Sequence, residues 1–394
     1  MIVKEKQKEQ VPHVIKYMGS KRNLLDFITS SIDEIRDKEP ICDLFAGSGV
    51  LASAYRNKAE FFANDIQSYS AVLSGLHLGS YEWDKYPDIE ETIQVKVKDY
   101  VSSFKAAYPN LVFSYTGELT LDAFNQLERS QQELINMDFD SFDYHLFVKF
   151  YSGTYWSFEQ CLYIDAFRKV AEEYKGQNLF NLIISSLMFA MSYNSQSTGH
   201  YAQYRDAGDD KSMKDILIYR KKDISSFFFR KFNELKEKYS TSKYPFHLSS
   251  KDYVDCLKSL PERTVVYADP PYCFVHYSRF YHALETLVRY DYPEVKFKGR
   301  YRTDRHQSPF CIRTQVQEAF KKMFTEVSEK KSKLILSYSN TGMITLEEIL
   351  TLAKSVFPSA YNISVKELDY EHSTMGRKDD KSREVKELLV IASY

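Results

Sequence analysis

The chain has 394 residues, and its 53 Lys+Arg against 54 Asp+Glu give a formal charge of -1. That length suggests two or three structural units, or one large α/β domain with insertions. With 27% charged and 43% hydrophobic residues, disorder is excluded, while a nucleic-acid partner is not, because binding depends on where the basic residues sit.

Residues 1–12 read as a charged, solvated leader without the apolar core of a secretory signal. The run Pro40-Ile41-Cys42-Asp43-Leu44-Phe45, followed by Ala46-Gly47-Ser48-Gly49 and Val50-Leu51-Ala52, predicts a strand, a tight loop and a helix start. A second strand, Glu60-Phe61-Phe62-Ala63, ends at Asn64-Asp65. These are the first units of a parallel sheet with crossover helices. From about 100 to 240 the spacing turns helical. Tyr163, Phe167, Val170 and Tyr174 share one face, and Phe228, Phe232, Leu235 and Tyr239 share another. The longest apolar stretch, 180–193, is broken by Ser and is shorter than the ~20 residues of a bilayer span.

Strand signals return at Thr264-Val265-Val266-Tyr267-Ala268, ahead of Asp269-Pro270-Pro271-Tyr272. Phe280, Leu284 and Leu287 again have helical spacing. A basic, irregular segment follows at 296–313. After it come a helix near 315–330, a strand at 334–338 and a capping box, Thr345-x-x-Glu348. Two final strands, near 362–369 and 385–393, predict an antiparallel pair closing the sheet edge. The five Cys (42, 161, 256, 273 and 311) have no C-x-x-C spacing. They read as reduced thiols of a cytoplasmic protein, with no metal site.

The chemistry concentrates in two places. A strand that delivers Asp43 to a turn containing Gly47 and Gly49 lets a nucleotide-like ligand approach the backbone closely, and Asp65 stands where such folds place an acid for ribose hydroxyls. The alternative is an ordinary strand–helix turn. In Asp269-Pro270-Pro271-Tyr272, two prolines fix the backbone and remove two N–H donors. The corner then offers carbonyl oxygens and a carboxylate, an acceptor pair suited to a substrate amino group, and Tyr272 adds a flat face for stacking a base. Lys21 and Arg22, on residue type alone, read as a solvated charge pair at a helix start.

Taken in order, Lys16-Tyr17-Met18-Gly19-Ser20-Lys21, Asp43-x-Phe45-x-Gly47-x-Gly49, Asn64-Asp65-Ile66 and Asp269-Pro270-Pro271-Tyr272 resemble the Dam-like (alpha-group) DNA adenine methyltransferases. The resemblance covers about residues 13–70, 248–290 and 330–394. It implies a Rossmann-like methyltransferase sheet, mostly parallel with an antiparallel C-terminal strand, plus a largely helical inserted domain. Residues 1–100 and 241–394 would form the catalytic domain, 101–240 the target-recognition insert and 291–314 a basic DNA-contact loop. It also implies S-adenosyl-L-methionine as cofactor, with Tyr17, Lys21 and Asp269 as cofactor contacts. Asp43, Phe45, Gly47, Ser48 and Gly49 would wrap its methionine part, Asp65 and Ile66 would hold its ribose, and Asp252 and Tyr253 its adenine. Here an N-terminal Tyr replaces the Trp common in relatives.

The implied reaction is a direct methyl transfer to the exocyclic amino nitrogen of an adenine flipped out of duplex DNA. That nitrogen is a poor nucleophile because its lone pair is delocalised. Accepting its two N–H hydrogens at Asp269 and at the Pro270 carbonyl aims the lone pair at the methyl group, which is positioning rather than prior deprotonation. The partners implied are double-stranded DNA and a cognate restriction endonuclease, in a restriction-modification or phage-defence setting without a membrane. For the DNA surface, the basic and aromatic interleaving of 296–313 nominates Lys298, Arg300, Arg302 and Arg305. The polar loop 194–206 nominates Gln196, Tyr201 and Arg205 as base or backbone contacts. Two alternatives stay open: methylation of an RNA adenine or another amino group, and a non-catalytic DNA-binding regulator on the same fold.

Overall fold

The computed structural model describes residues 11–197, 200–271, 277–339, 342–370 and 385–394. Its strands are β1 (Ile41–Asp43), β2 (Phe61–Asn64), β3 (Phe246–Ser249), β4 (Val265–Ala268), β5 (Val295–Lys296), β6 (Tyr301–Arg302), β7 (Lys333–Ser339), β8 (Asn362–Tyr370) and β9 (Val385–Ser393). Seven of them form one sheet in the order β3-β2-β1-β4-β7-β9-β8, and β5 and β6 form a separate hairpin. Pairing is parallel from β3 to β7 and antiparallel where β9 joins β7 and β8.

Every residue of β1, β4 and β7 is buried. Helices cover both faces, so these strands are continuous apolar runs rather than alternating ones. One face packs Leu257, Val266, Met323, Phe324 and Leu336; the other packs Ile28, Ile32, Phe61, Val265 and Ile335. The C-terminal pair sits at the edge expected for it, with Leu388 to Ala392 buried beside β7. Strand β3 is the strand of the large sheet that periodicity missed, and the β5–β6 hairpin falls where the sequence reads as irregular. Only four residues long and partly exposed, β3 carries too short a pattern to stand out from a loop.

The helical stretch is built mainly from Ile89–Ala107, Phe158–Glu172, Asn178–Asn194 and Ile224–Lys238. The two anticipated faces meet: the Phe167 and Phe228 rings stack with centroids 4.0 Å apart. This core does not stop at the insert. It includes Leu73 and Leu76 of the helix Ser68–Leu78, and Leu284 and Leu287 of the helix His282–Arg289. Thr345 and Glu348 form the predicted capping box. Among the described residues no helix is long and apolar enough to cross a membrane, and no group of three or more His, Cys, Asp or Glu is arranged to hold a metal ion.

Candidate active site at the carboxyl ends of β1 and β4

From β1 the chain builds outward to β2 and β3 on one side, and to β4 and β7 on the other. A crevice therefore opens at the carboxyl ends of β1 and β4, the switch point where open α/β sheets take ligands. Asp43 is the last residue of β1, and Asp269 follows the last residue of β4. Both line one deep pocket, together with Tyr17, Lys21, Phe45, Gly47, Ser48, Asp65, Ile66, Asp252, Tyr253, Pro270 and Pro271. Segments far apart in the chain thus converge on one cavity. Tyr272 lies outside the described residues.

Each wall has a local cause. Gly47 and Gly49 have φ of 52° and 71°, in the left-handed region. A Cβ on Gly47 would stand 3.0 Å from the Tyr17 hydroxyl oxygen, and one on Gly49 would stand 3.0 Å from the Ser74 backbone nitrogen. The Gly47 N–H donates to Asp65 Oδ2 at 3.0 Å, and the Gln67 N–H donates to Oδ1 at 2.9 Å. Asn64 ties three strand ends together. Its amide donates to the carbonyls of Leu44 and Lys251, and its oxygen accepts from the Ser249 hydroxyl at 2.6 Å. Gly49 shapes the turn without lining the pocket.

The aromatic walls are layered. Tyr17 stacks on Tyr281 at 5.0 Å, and the Tyr281 hydroxyl accepts from the Met18 N–H at 2.7 Å. Across the cavity, Phe45 stacks on Tyr253 and meets Phe310 edge-on at 5.5 Å. Asp252 caps the helix Tyr253–Ser259, accepting from the Val254 N–H at 2.9 Å.

The pocket is rich in buried carboxylates. Burial, then the charges of Asp269 and Asp65, push Asp43 well above the usual carboxylate range. Its Oδ1 is buried without a hydrogen-bond partner among the described residues. Burial raises Asp269 to about 6 against the opposing effect of Lys21. The Lys21 ammonium is not solvated. It lies 3.3 Å from Asp269 Oδ1 and 3.0 and 3.1 Å from the two oxygens of Glu387, a β9 residue that is 2% exposed. Burial alone would lower its pKa, but the two carboxylates outweigh that and leave it raised. Arg22 is also held, donating to the carbonyls of Val11 and Pro12.

A second cleft adjoins the pocket and shares Ser278, His306 and Gln307 with it. Gln203, Arg279, Phe297, Lys298 and Arg305 line it, and Phe297 is 75% exposed. Three of the nominated DNA contacts are buried. Arg302 is buried, its guanidinium clamped by Asp291 at 2.5 and 2.8 Å and by Asp304 at 3.0 Å, so it builds the hairpin base. Gln196 is fully buried and spends its amide on the Thr154 carbonyl and the Arg205 backbone. Tyr201 is buried, its hydroxyl against Ser192 and its carbonyl accepting from His282 at 2.8 Å. Arg300 directs its guanidinium inward, to the carbonyls of Phe150 and Gln132. Lys298 and Arg205 pair with Asp206 and Asp215. Arg305 donates to the Arg302 carbonyl at 3.1 Å and lies over the Tyr301 ring.

Residue patterns had not pointed to Glu387, Tyr277 or Tyr281, and they assigned 306–309 to the DNA-contact loop, whereas it lines the pocket. The i, i+4 spacing of Tyr277 and Tyr281 was the one available signal. Glu387 had none.

An acid-lined crevice at the switch point of a mostly parallel sheet, closed by an antiparallel C-terminal pair, defines an α/β protein with a methyltransferase fold. The chain belongs to the D12 class N6 adenine-specific DNA methyltransferase family, whose family model matches residues 17–349. It is 24% identical over 361 residues to the type II methyltransferase M.FokI of Planomicrobium okeanokoites, covering 89% of this chain and 48% of that protein. It is 24% identical over 346 residues to the modification methylase LlaI of Lactococcus lactis subsp. lactis, covering 86% and 48%. With the type II methyltransferase M.NlaIII of Neisseria lactamica it shares 21% over 343 residues, covering 84% and 86%. The chain spans about half the length of the first two relatives.

Proposed function

We propose that this chain transfers a methyl group from S-adenosyl-L-methionine to the exocyclic amino nitrogen of an adenine flipped out of duplex DNA. The observation that carries the reading is the meeting of the Asp269-Pro270-Pro271 corner with Asp43, Gly47 and Asp65 in one pocket. The pocket suits the cofactor chemically. Gly47 brings the turn backbone to the pocket wall, Asp65 faces the turn as a ribose acceptor, and the unsatisfied Asp43 Oδ1 offers a buried acceptor. Phe45 and Tyr253 supply flat apolar faces for an adenine ring. The cofactor supplies an electrophilic methyl sulfonium. The chain's own groups orient the nucleophile: the Asp269 carboxylate and the Pro270 carbonyl accept the two amino hydrogens, which localises the nitrogen lone pair. Tyr272 is proposed as the stacking face.

DNA is proposed to lie along the second cleft, with Arg279, Lys296, Lys298 and Arg305 toward phosphates and the exposed Phe297 toward the bases. The proposed setting is the cytoplasm, where the methyl mark protects DNA from a cognate endonuclease. Transfer of labelled methyl to duplex DNA, with RNA as comparison, tests the reaction. Sequencing DNA for methylated adenine in expressing cells reads the target site. Labelling of RNA alone, or cofactor-independent DNA binding without turnover, overturns the proposal.

A further inference from the structure

Within the Lys21–Asp269–Glu387 cluster, Glu387 has no part in the reaction above. Glu387 is 366 positions from Lys21, on the antiparallel strand β9, opposite Ser339 of β7. It is nearly sealed from solvent, and both its oxygens face the Lys21 ammonium, at 3.0 and 3.1 Å. The same ammonium is 3.3 Å from Asp269 Oδ1. That oxygen is itself closed to solvent, whereas the Asp269 side chain keeps 19% exposure, so its open side faces away from Lys21.

We propose that Glu387 is a positioning residue that holds the Lys21 ammonium against Oδ1 of Asp269, leaving the other carboxylate oxygen open to the substrate amino group. This inference rests on the reading of Asp269 as acceptor for adenine. A plain tether between the N-terminal segment and β9 would need only the Lys21–Glu387 pair. The third member has a consequence that a tether lacks. A buried lysine with one partner carries a full positive charge to Asp269 and quenches it as an acceptor. With Glu387 sharing the same ammonium, the lysine orients Asp269 while much of its field is cancelled.

The charged and titratable groups facing Asp269 are Lys21 from the N-terminal segment, Glu387 from β9, Asp43 from β1 and the Tyr267 hydroxyl from β4, with the Ser337 hydroxyl from β7. Lys21 and Glu387 act on it with opposite sign. Their variants therefore move the acid limb of methyl transfer in opposite directions. Glu387→Gln keeps an oxygen for Lys21 but removes the charge, and the acid limb of kcat is expected to fall by about one pH unit. Lys21→Met is expected to raise it by about the same amount. Glu387→Asp keeps the charge but withdraws the carboxylate by one methylene, and kcat is expected to drop roughly tenfold with KM for DNA unchanged.

The measurement is labelled-methyl transfer to duplex DNA across pH 5–9, with thermal unfolding run beside it. A Glu387→Gln limb that stays in place or moves up with that of Lys21→Met overturns the proposal. Should the Gln variant fail to fold, wild-type kcat in Glu387→Asp overturns it equally. An inactive wild-type enzyme would instead count against the parent reading of the pocket.

Discussion

At the residue scale, Asp269 carries opposite demands from folding and function. Its carboxyl titrates at about 6 in the fold, from a usual value of 3.8, chiefly because of burial. Folding therefore takes up a proton between those pH values, and the group's contribution to stability is lost as pH rises through 6. The acceptor role proposed for Asp269 requires the ionised form, which is complete only above that value. Asp269→Asn is accordingly expected to cut methyl transfer by about 10²–10³-fold while leaving Tm at pH 7.5 unchanged or higher. A Tm drop comparable to that of a core truncation would contradict this account. The wild-type rate should fall as pH is lowered through about 6, where Asp269 becomes protonated. Gly47 makes a steric case. Gly47→Ala combines a left-handed φ with a Cβ driven into the Tyr17 ring, and about 1–3 kcal/mol of destabilisation is expected from the backbone alone. Cofactor affinity should drop with it, measurable by calorimetry.

At the scale of elements, the β5–β6 hairpin divides its basic residues between two tasks. Arg302 and Arg289 share Asp291 and Asp304 in one ion-pair network at its base. Lys296, Phe297 and Lys298 lie exposed at its tip. Arg302→Ala should therefore lower stability, by about 2–3 kcal/mol for its charged hydrogen bonds, and disturb DNA binding only through that loss. Replacing Lys298 and Arg305 with Ala should leave Tm near wild type but weaken DNA binding, reducing the slope of log K against log salt by about one to two. Identical salt slopes for wild type and the double variant would remove the hairpin from the interface. The basic composition of 296–313 was visible in the sequence, but composition counts charges without their partners. Asp291, one partner of Arg302, stands outside the basic run.

Across the whole molecule, the helical region and the sheet share apolar packing. Leu73, Leu76, Leu284 and Leu287, from helices adjoining the site, lie in the same cluster as Phe167, Phe228 and Trp156. The helices are thus braced against the elements that carry Tyr69 and Tyr281 into the pocket wall region. Far-UV dichroism and tyrosine fluorescence should report coincident thermal transitions. Phe228→Ala, expected to cost about 3–5 kcal/mol, should lower both together. Two separated transitions, with only one shifted, would show that the insert unfolds independently.

What the sequence determined by itself was everything encoded locally. Buried strands announced themselves as short apolar runs at β1, β2, β4 and β7, and the capping box at Thr345 needed only four consecutive residues. The acid-bearing turns were legible because glycine and proline restrict the backbone within one or two residues. Tertiary structure alone decided which charges face one another. Lys21 looked like a solvated residue until β9 brought Glu387 to it, and Arg302 looked free until Asp291 closed on it. Gln196 looked like a base reader until the loop folded over Thr154. Each reversal has the same cause. Burial and electrostatic partnership depend on distance in space, and for these side chains the deciding neighbours lie 11 to 366 residues away along the chain.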